Sequence, residues 1–206
     1  MSIISIIGSG DMAAAIGGRV AKAGYTVEVV NRDPAKARTL ADQLAAGATT
    51  GTWGAAPAGD IVILAVPYTN AAAVVVEYGG AIADKVIIDI TNPINPDATG
   101  MVTPAGSSGA QEIAKGAPAS AHVVKAFNTI FGQVLAKGGR LDAFIAADDP
   151  EAKARVSTFI ESLNLRPLDV GGLQMAQTLE ALGLMLIGVA ENGAGSWDIA
   201  FHIDIG

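Results

Sequence analysis

The chain has 206 residues, half of them apolar and only 16% charged, which is enough to bury a substantial core and too apolar for a disordered tail. Its formal net charge of −7 argues against sequence-independent binding to nucleic acid and against an anionic membrane surface as partner. With no cysteine there is no disulfide, no thiolate catalysis and no cysteine-ligated zinc, and two histidines, His122 and His202, are too few for most metal sites.

Ile3–Ile7 reads as an apolar strand that runs straight into Gly8-Ser9-Gly10-Asp11-Met12-Ala13, and a helix over Met12–Ala23 opens behind it. This G-x-G-x-x-A turn is the arrangement that sets a pyrophosphate on a helix N-terminus. Gly8 permits the tight turn, Gly10 lets the backbone approach the phosphates, and Ala13 stands in for a third glycine. Asp11 would repel a bound pyrophosphate, so its carboxylate is expected to turn away, toward the amides of the first helical turn. Residues 1 to 8 already form strand and turn, which leaves no room for a signal peptide. The longest strongly apolar stretch, Leu182–Ala190, is far short of a membrane span, so the expected location is the cytoplasm.

The second strand, Thr26–Val30, ends at Asn31-Arg32, with Lys36 and Arg38 close behind. An NAD site expects Asp or Glu there to hold the ribose 2′-hydroxyl, whereas arginine answers a 2′-phosphate. The residues therefore predict NADP(H), with Ser9, Asn31 and Lys36 beside Arg32. A solvated surface arginine is the alternative. Glu28 lies inside the strand and has no ribose role.

A helix over Pro34–Ala46 starts with proline in its first turn and stops at Gly47. A short strand follows near Ala48–Thr50. Ile61–Val66, Val86–Ile90, His122–Phe127, Ala143–Ala147 and Arg166–Val170 are further strands, mostly continuous β-branched runs of the kind buried on both faces of a parallel sheet. Helices are expected over Asn70–Tyr78, Ser108–Lys115, Pro150–Leu163 (capped by Asp148 or Asp149) and Gln174–Glu191, with Ala98–Ser108 as a mobile loop. The alternation predicts an α/β fold, Rossmann-like and doubly wound, with a mostly parallel sheet and a C-terminal helix. It forms one domain, in which residues 1–170 bind NADP(H) and residues 171–206 complete the acceptor site and a dimer interface. The last helix carries Leu179, Leu182, Met185, Leu186 and Val189, with Leu184 and Ile187 on the other side. Apolar on nearly all faces, it needs a second covering surface. A partner subunit is the simplest one, which predicts a homodimer; burial within one subunit is the alternative.

Three segments close at the carboxyl ends of strands, where open α/β sheets bind ligands: Ala65-Val66-Pro67-Tyr68, Thr91-Asn92-Pro93 and Val123-Val124-Lys125-Ala126-Phe127-Asn128-Thr129-Ile130. Pro67 would turn the chain under the nicotinamide ribose, although prolines that merely end strands read the same way. Ala65, Val66, Pro67, Tyr68, Asn92, Pro93, Ala126, Phe127, Asn128 and Ile130 join Gly8, Ser9, Gly10, Asp11, Met12, Asn31, Arg32 and Lys36 as candidate cofactor-binding residues.

These motifs, with Leu165-Arg166-Pro167-Leu168-Asp169-Val170-Gly171, carry a resemblance across essentially the whole chain. The chain resembles the NADPH-dependent deazaflavin (coenzyme F-420) reductase family, a group that includes the cytosolic reductase domains of the STEAP metalloreductases. The resemblance implies hydride exchange between NADP(H) and a stacked deazaflavin, coenzyme F-420, or a flavin such as FMN or FAD. Such chemistry needs two rings face to face at roughly 3–3.5 Å with water excluded, and few acids or bases. It also implies Asn128 and Thr129 as the residues that position the acceptor, with Ile130 pressing the ring onto the nicotinamide. Asn128 stands where characterised deazaflavin reductases carry histidine. Two other readings stay open: a small β-hydroxyacid dehydrogenase or imine reductase using Lys125 and Asn128, and a redox sensor that holds NADPH without turnover.

Overall fold

The computed structural model describes residues 2–44 and 47–204. Six parallel strands form the main sheet: β1 (Ile3–Ile7), β2 (Thr26–Val30), β3 (Thr49–Thr50), β4 (Ile61–Leu64), β5 (Val86–Asp89) and β6 (His122–Lys125). Their order is β3-β2-β1-β4-β5-β6, so the winding reverses between β1 and β4. This is the Rossmann order, and the reversal opens a crevice at the carboxyl edge. Register makes that edge a line. Ile7 pairs with both Val30 and Leu64, Leu64 with Asp89, and Asp89 with Lys125. The next residue of each strand, Gly8, Asn31, Ala65, Ile90 and Ala126, therefore stands along one rim.

Helices cover both faces. They are α1 (Asp11–Lys22), α2 (Pro34–Leu44), α3 (Tyr68–Tyr78), α4 (Gly109–Gly116), α5 (Gly132–Lys137), α6 (Pro150–Ser162) and α7 (Ala176–Gly188). Alternation along β4 divides the core: Ile61 and Ile63 join Ile16, Val20 and Phe159 on one face, while Val62 and Leu64 join Val74, Val75 and Ile113 on the other. Both faces are dry, which is why the strands read as unbroken apolar runs. Arg19 is buried without a carboxylate partner among the described residues. Its Nε donates to the Leu135 carbonyl at 2.7 Å and one terminal nitrogen to the Leu163 carbonyl at 3.0 Å, so it ties α1 to the ends of α5 and α6.

The expected elements stand with specific corrections. Strands β4, β5 and β6 stop one or two residues early, because the following residues leave the ladder for the rim loops. The helix expected over Pro34–Ala46 is described as far as Leu44; Ala45 and Ala46 lie outside the described residues. Helix α3 begins at Tyr68 rather than Asn70, with Pro67 as its cap. Asp149, not Asp148, caps α6 by accepting from the Ala152 amide at 2.7 Å. The short α5 was not foreseen. The segment β7 (Asp142–Ile145) pairs in parallel with β8 (Arg166–Asp169) and joins β6 only through an antiparallel bridge between Lys125 and Ala146. The loop expected over Ala98–Ser108 contains order of its own: Met101 bridges Ile94, and Ser108 caps α4 in a capping box with Gln111.

Candidate dinucleotide and hydride-transfer site

The glycine turn is built from close backbone approach. The Gly8 amide donates to the Val30 carbonyl at 2.8 Å, and the Ala65 amide to the Ile7 carbonyl at 2.8 Å. Gly8 adopts φ +124°, and a Cβ there would lie 2.0 Å from the Ala65 carbonyl oxygen. Two strands thus demand glycine at this position before any ligand does. Gly10 differs: its backbone is extended, and a Cβ there meets nothing within 4 Å. It is the N-cap of α1, and no side chain caps that helix. Asp11 is exposed and, among the described residues, makes no hydrogen bond to the first-turn amides. It turns outward, as expected, but not onto those amides. Those amides carry no side-chain cap among the described residues.

Asn31 clasps this loop to the end of β2. Its Nδ2 donates to Ser9 Oγ at 2.8 Å, and its Oδ1 accepts from the Asp33 amide at 2.9 Å. Lys36, in the first turn of α2, lines a cleft of about 300 Å³ with Ser9, Gly10 and Asp11. Arg38 is exposed and does not line it. Arg32 projects from the rim with its side chain 57% exposed. Glu28 is buried, accepting from Ser5 Oγ at 2.5 Å and the Ala58 amide at 2.9 Å, which agrees with a purely structural role.

The rim loops of β5 and β6 are locked by a group that the sequence reading placed elsewhere. Lys125 is fully buried. Its Nζ donates to Asp89 Oδ2 at 2.8 Å, to Glu180 Oε1 at 2.8 Å and to the Thr91 carbonyl at 2.5 Å, which uses all three protons. Glu180 reaches in from α7 and also accepts from the Gly109 and Ala110 amides at 3.0 and 3.3 Å, at the start of α4. Asn128 makes a second clasp beside it: its Nδ2 donates to Asn92 Oδ1 at 2.9 Å and to the Leu179 carbonyl at 2.8 Å, while Asn92 donates to the Asn128 carbonyl at 2.8 Å. Both clasps join the same three parts: the β5 loop, the β6 loop and α7. Gly183 of α7 packs so tightly on Asn92 that a Cβ would sit 2.8 Å from its amide.

This geometry sorts the expected residues. Gly8, Asn31 and Ala65 follow directly on the paired ends of β1, β2 and β4, and Ser9, Gly10, Asp11 and Lys36 line one cleft beside them. Ala126, Phe127, Thr129 and Ile130 are each at most 4% exposed, with Ala126, Phe127 and Ile130 in the apolar core, and Pro93 is buried as well. In this arrangement Ile130 presents no face to a ring. Phe127 holds φ +63°, a left-handed conformation that is costly for a bulky residue and that turns the loop toward α7. Among the described residues, Thr91 Oγ1, Asn128 Oδ1 and Thr129 Oγ1 are buried without a hydrogen-bond partner, an unusual concentration at one sheet edge. Sequence reasoning missed Glu180. The signal was present: a lone carboxylate on the apolar stripe of the last helix.

Residues 3–93 match the family described as NADP oxidoreductase coenzyme F420-dependent. The chain is also 30% identical over 206 residues to an F420-dependent NADP reductase of Methanothermobacter marburgensis, covering 91% of each. The chain belongs to this family. It is 30% identical as well to the metalloreductase STEAP3 of Rattus norvegicus, over 89% of this chain but only 37% of that protein, so it spans little more than a third of that relative. A solved structure, titled a putative F420-dependent NADP reductase from Arthrobacter sp. FB24, superposes with a TM-score of 0.85 over 98% of this chain and 99% of that one, at 23% identity. That likeness speaks for the fold.

As a member of this reductase family the chain offers a site that fits an NADP-type dinucleotide: an uncapped helix N-terminus, open room at Gly10 and a cation at the end of β2. The C-terminal part completes the reductase differently from expectation. The helix expected over Gln174–Glu191 is a 3-10 turn at Leu173–Met175, then α7, then a π-helical turn at Val189–Ala194. This run is long and apolar enough to span a membrane, yet Glu180 and the two clasps commit its inner face to the sheet. Ala176, Leu179, Glu180, Gly183 and Leu186 face inward, while Met185 and Val189 point out, 51% and 41% exposed. The tail then folds back over the β6 loop. Ala200 bridges Ile130, Trp197 lies on Phe131 with ring centroids 5.1 Å apart, and the Ile203 amide donates to Asp142 at 2.7 Å. Arg166 beside Asp142 holds that carboxyl below the usual carboxylate range.

Proposed function

We propose that this reductase passes a hydride between NADP(H) and a flat deazaflavin or flavin ring stacked on the nicotinamide. The observation that carries the reading is the uncapped, unobstructed start of α1, flanked at the end of β2 by a guanidinium where an NAD site has a carboxylate. NADPH bound there supplies the hydride, and the second ring accepts it. The chain's own part is to bind and orient. First-turn amides of α1 meet the pyrophosphate, and Ser9 with Asn31 holds the loop in shape. Arg32 meets the 2′-phosphate, and Pro67, Tyr68 and Asn92 border the nicotinamide end. Asn128 and Thr129 act as positioning residues, the first through its clasp on Asn92 and α7. Lys125 is closed off and fully hydrogen-bonded, so it does not serve a keto- or imino-acid reaction by direct contact. We assign the homodimer to the outward stripe that runs from Met185 of α7 to Val189 in the turn behind it.

NADPH oxidation in the presence of deazaflavin, FMN or FAD tests the activity. Turnover with one of them is the expected result; turnover only with keto or imino acids, or tight binding without turnover, replaces the proposal. Arg32→Ala should weaken NADPH binding by about 1.5–3 kcal/mol and leave NADH almost untouched. Calorimetric titration of both dinucleotides measures this, and equal losses would show that Arg32 does not read the phosphate.

A further inference from the structure

Arg32 does not hang free at the rim. Its guanidinium carbon sits 4.8 Å from the centroid of the Trp53 ring, and one terminal nitrogen donates to Glu77 Oε2 at 3.0 Å. Trp53 in turn donates its indole N–H to the other oxygen of Glu77, Oε1, at 2.6 Å. Three residues from three places in the chain, the end of β2, the segment after β3 and the last turn of α3, thus close a ring of contacts. Trp53 is itself braced edge-on by Tyr78, with centroids 5.5 Å apart at 76°, and Tyr78 is buried. The hydrogen bond from Trp53, together with Arg32 beside it, holds the Glu77 carboxyl below its ordinary range.

An unsupported surface arginine samples many rotamers and loses that freedom when it grips an anion. Here one face of the guanidinium already lies on an indole and one corner is already hydrogen-bonded. Nε and the remaining terminal nitrogen have no hydrogen-bond partner among the described residues. The guanidinium is thus held over the ring with donors to spare, at the end of β2. Resting on the reading of Arg32 given above, we propose that Trp53 is a specificity-determining residue: with Glu77 as its brace, it holds the Arg32 guanidinium in the orientation that receives a 2′-phosphate. No motif of the sequence includes it, because its partners converge only in the fold.

Adenosine 2′,5′-bisphosphate, with 5′-AMP as the control lacking the 2′-phosphate, isolates this end of the dinucleotide. In the wild-type protein the bisphosphate should bind the tighter of the two. Trp53→Leu should cut that preference about twofold to fivefold, the size expected of a lost cation–π support at an exposed site, with 5′-AMP affinity unchanged. A second measurement keeps the test open if Trp53→Leu does not fold. In Trp197→Phe, which leaves Trp53 as the lone indole, the emission should change with the bisphosphate and stay constant with 5′-AMP. No preference for the bisphosphate in the wild-type protein would sink the Arg32 reading and this inference together. A wild-type preference that Trp53→Leu retains, or emission indifferent to the bisphosphate, would overturn the role of Trp53 alone.

Discussion

Replacing Lys125 with methionine should lower the stability of the protein by about 3–5 kcal/mol, the cost of stranding buried carboxylates without their counter-charge. Asp89 and Glu180 both face the ammonium at 2.8 Å, and neither has water within reach to replace it: their side chains are 0% and 2% exposed. The same ammonium holds the Thr91 carbonyl, so its loss frees the β5 loop from α7 as well. Urea denaturation measures the effect. A midpoint within error of the wild type would show that the triad carries no stability. The triple variant Asp89→Asn, Lys125→Met, Glu180→Gln removes the stranded charges along with the lysine. It should therefore recover at least about 1 kcal/mol of the loss, as buried ion clusters do when replaced whole.

Two glycine substitutions two residues apart should give opposite phenotypes. Gly8→Ala places a Cβ 2.0 Å from the Ala65 carbonyl oxygen at φ +124°. The atom in the way is backbone, and the amide of the same residue is tied to the Ile7 carbonyl, so the end of β4 must move. The expected loss is about 3 kcal/mol or more, strain at positive φ adding to forced displacement. Gly10→Ala meets nothing within 4 Å and an extended backbone that any residue adopts, so its denaturation midpoint should match the wild type. Its defect should appear only when NADPH is titrated, because the new methyl fills the room the pyrophosphate needs. A destabilised Gly10→Ala, or a Gly8→Ala as stable as the wild type, would reverse this division of labour.

The contrast shows what kind of information a sequence holds. Strand–turn–helix spacing around Gly8–Ala13 is local, and the register that lines up Gly8, Asn31, Ala65 and Ala126 follows from runs of β-branched residues a few positions long. Those parts were legible, as was Arg32 at the end of β2. The short α5 was hidden ahead of the Gly138-Gly139 turn, with six residues and no periodicity to mark it. The antiparallel bridge from β6 to β7 was also hidden, because a strand's composition does not record its direction.

Side chains whose meaning depends on distant partners were misplaced most. Phe127, Ala126 and Ile130 stand in a motif at the ligand edge, yet the left-handed turn at Phe127 sends them into the core. Lys125 invites a dehydrogenase or imine-reductase reading along the chain, and its carboxylate partners lie 36 residues before it and 55 after it. Chain-local physics settles which segments become strands and where the glycine turn opens a helix, since each depends on neighbours within one turn or one strand. Burial of a charge does not work that way. An ammonium can leave water only if several acceptors converge on it at once, and that convergence exists only after β5, β6, α4 and α7 have packed.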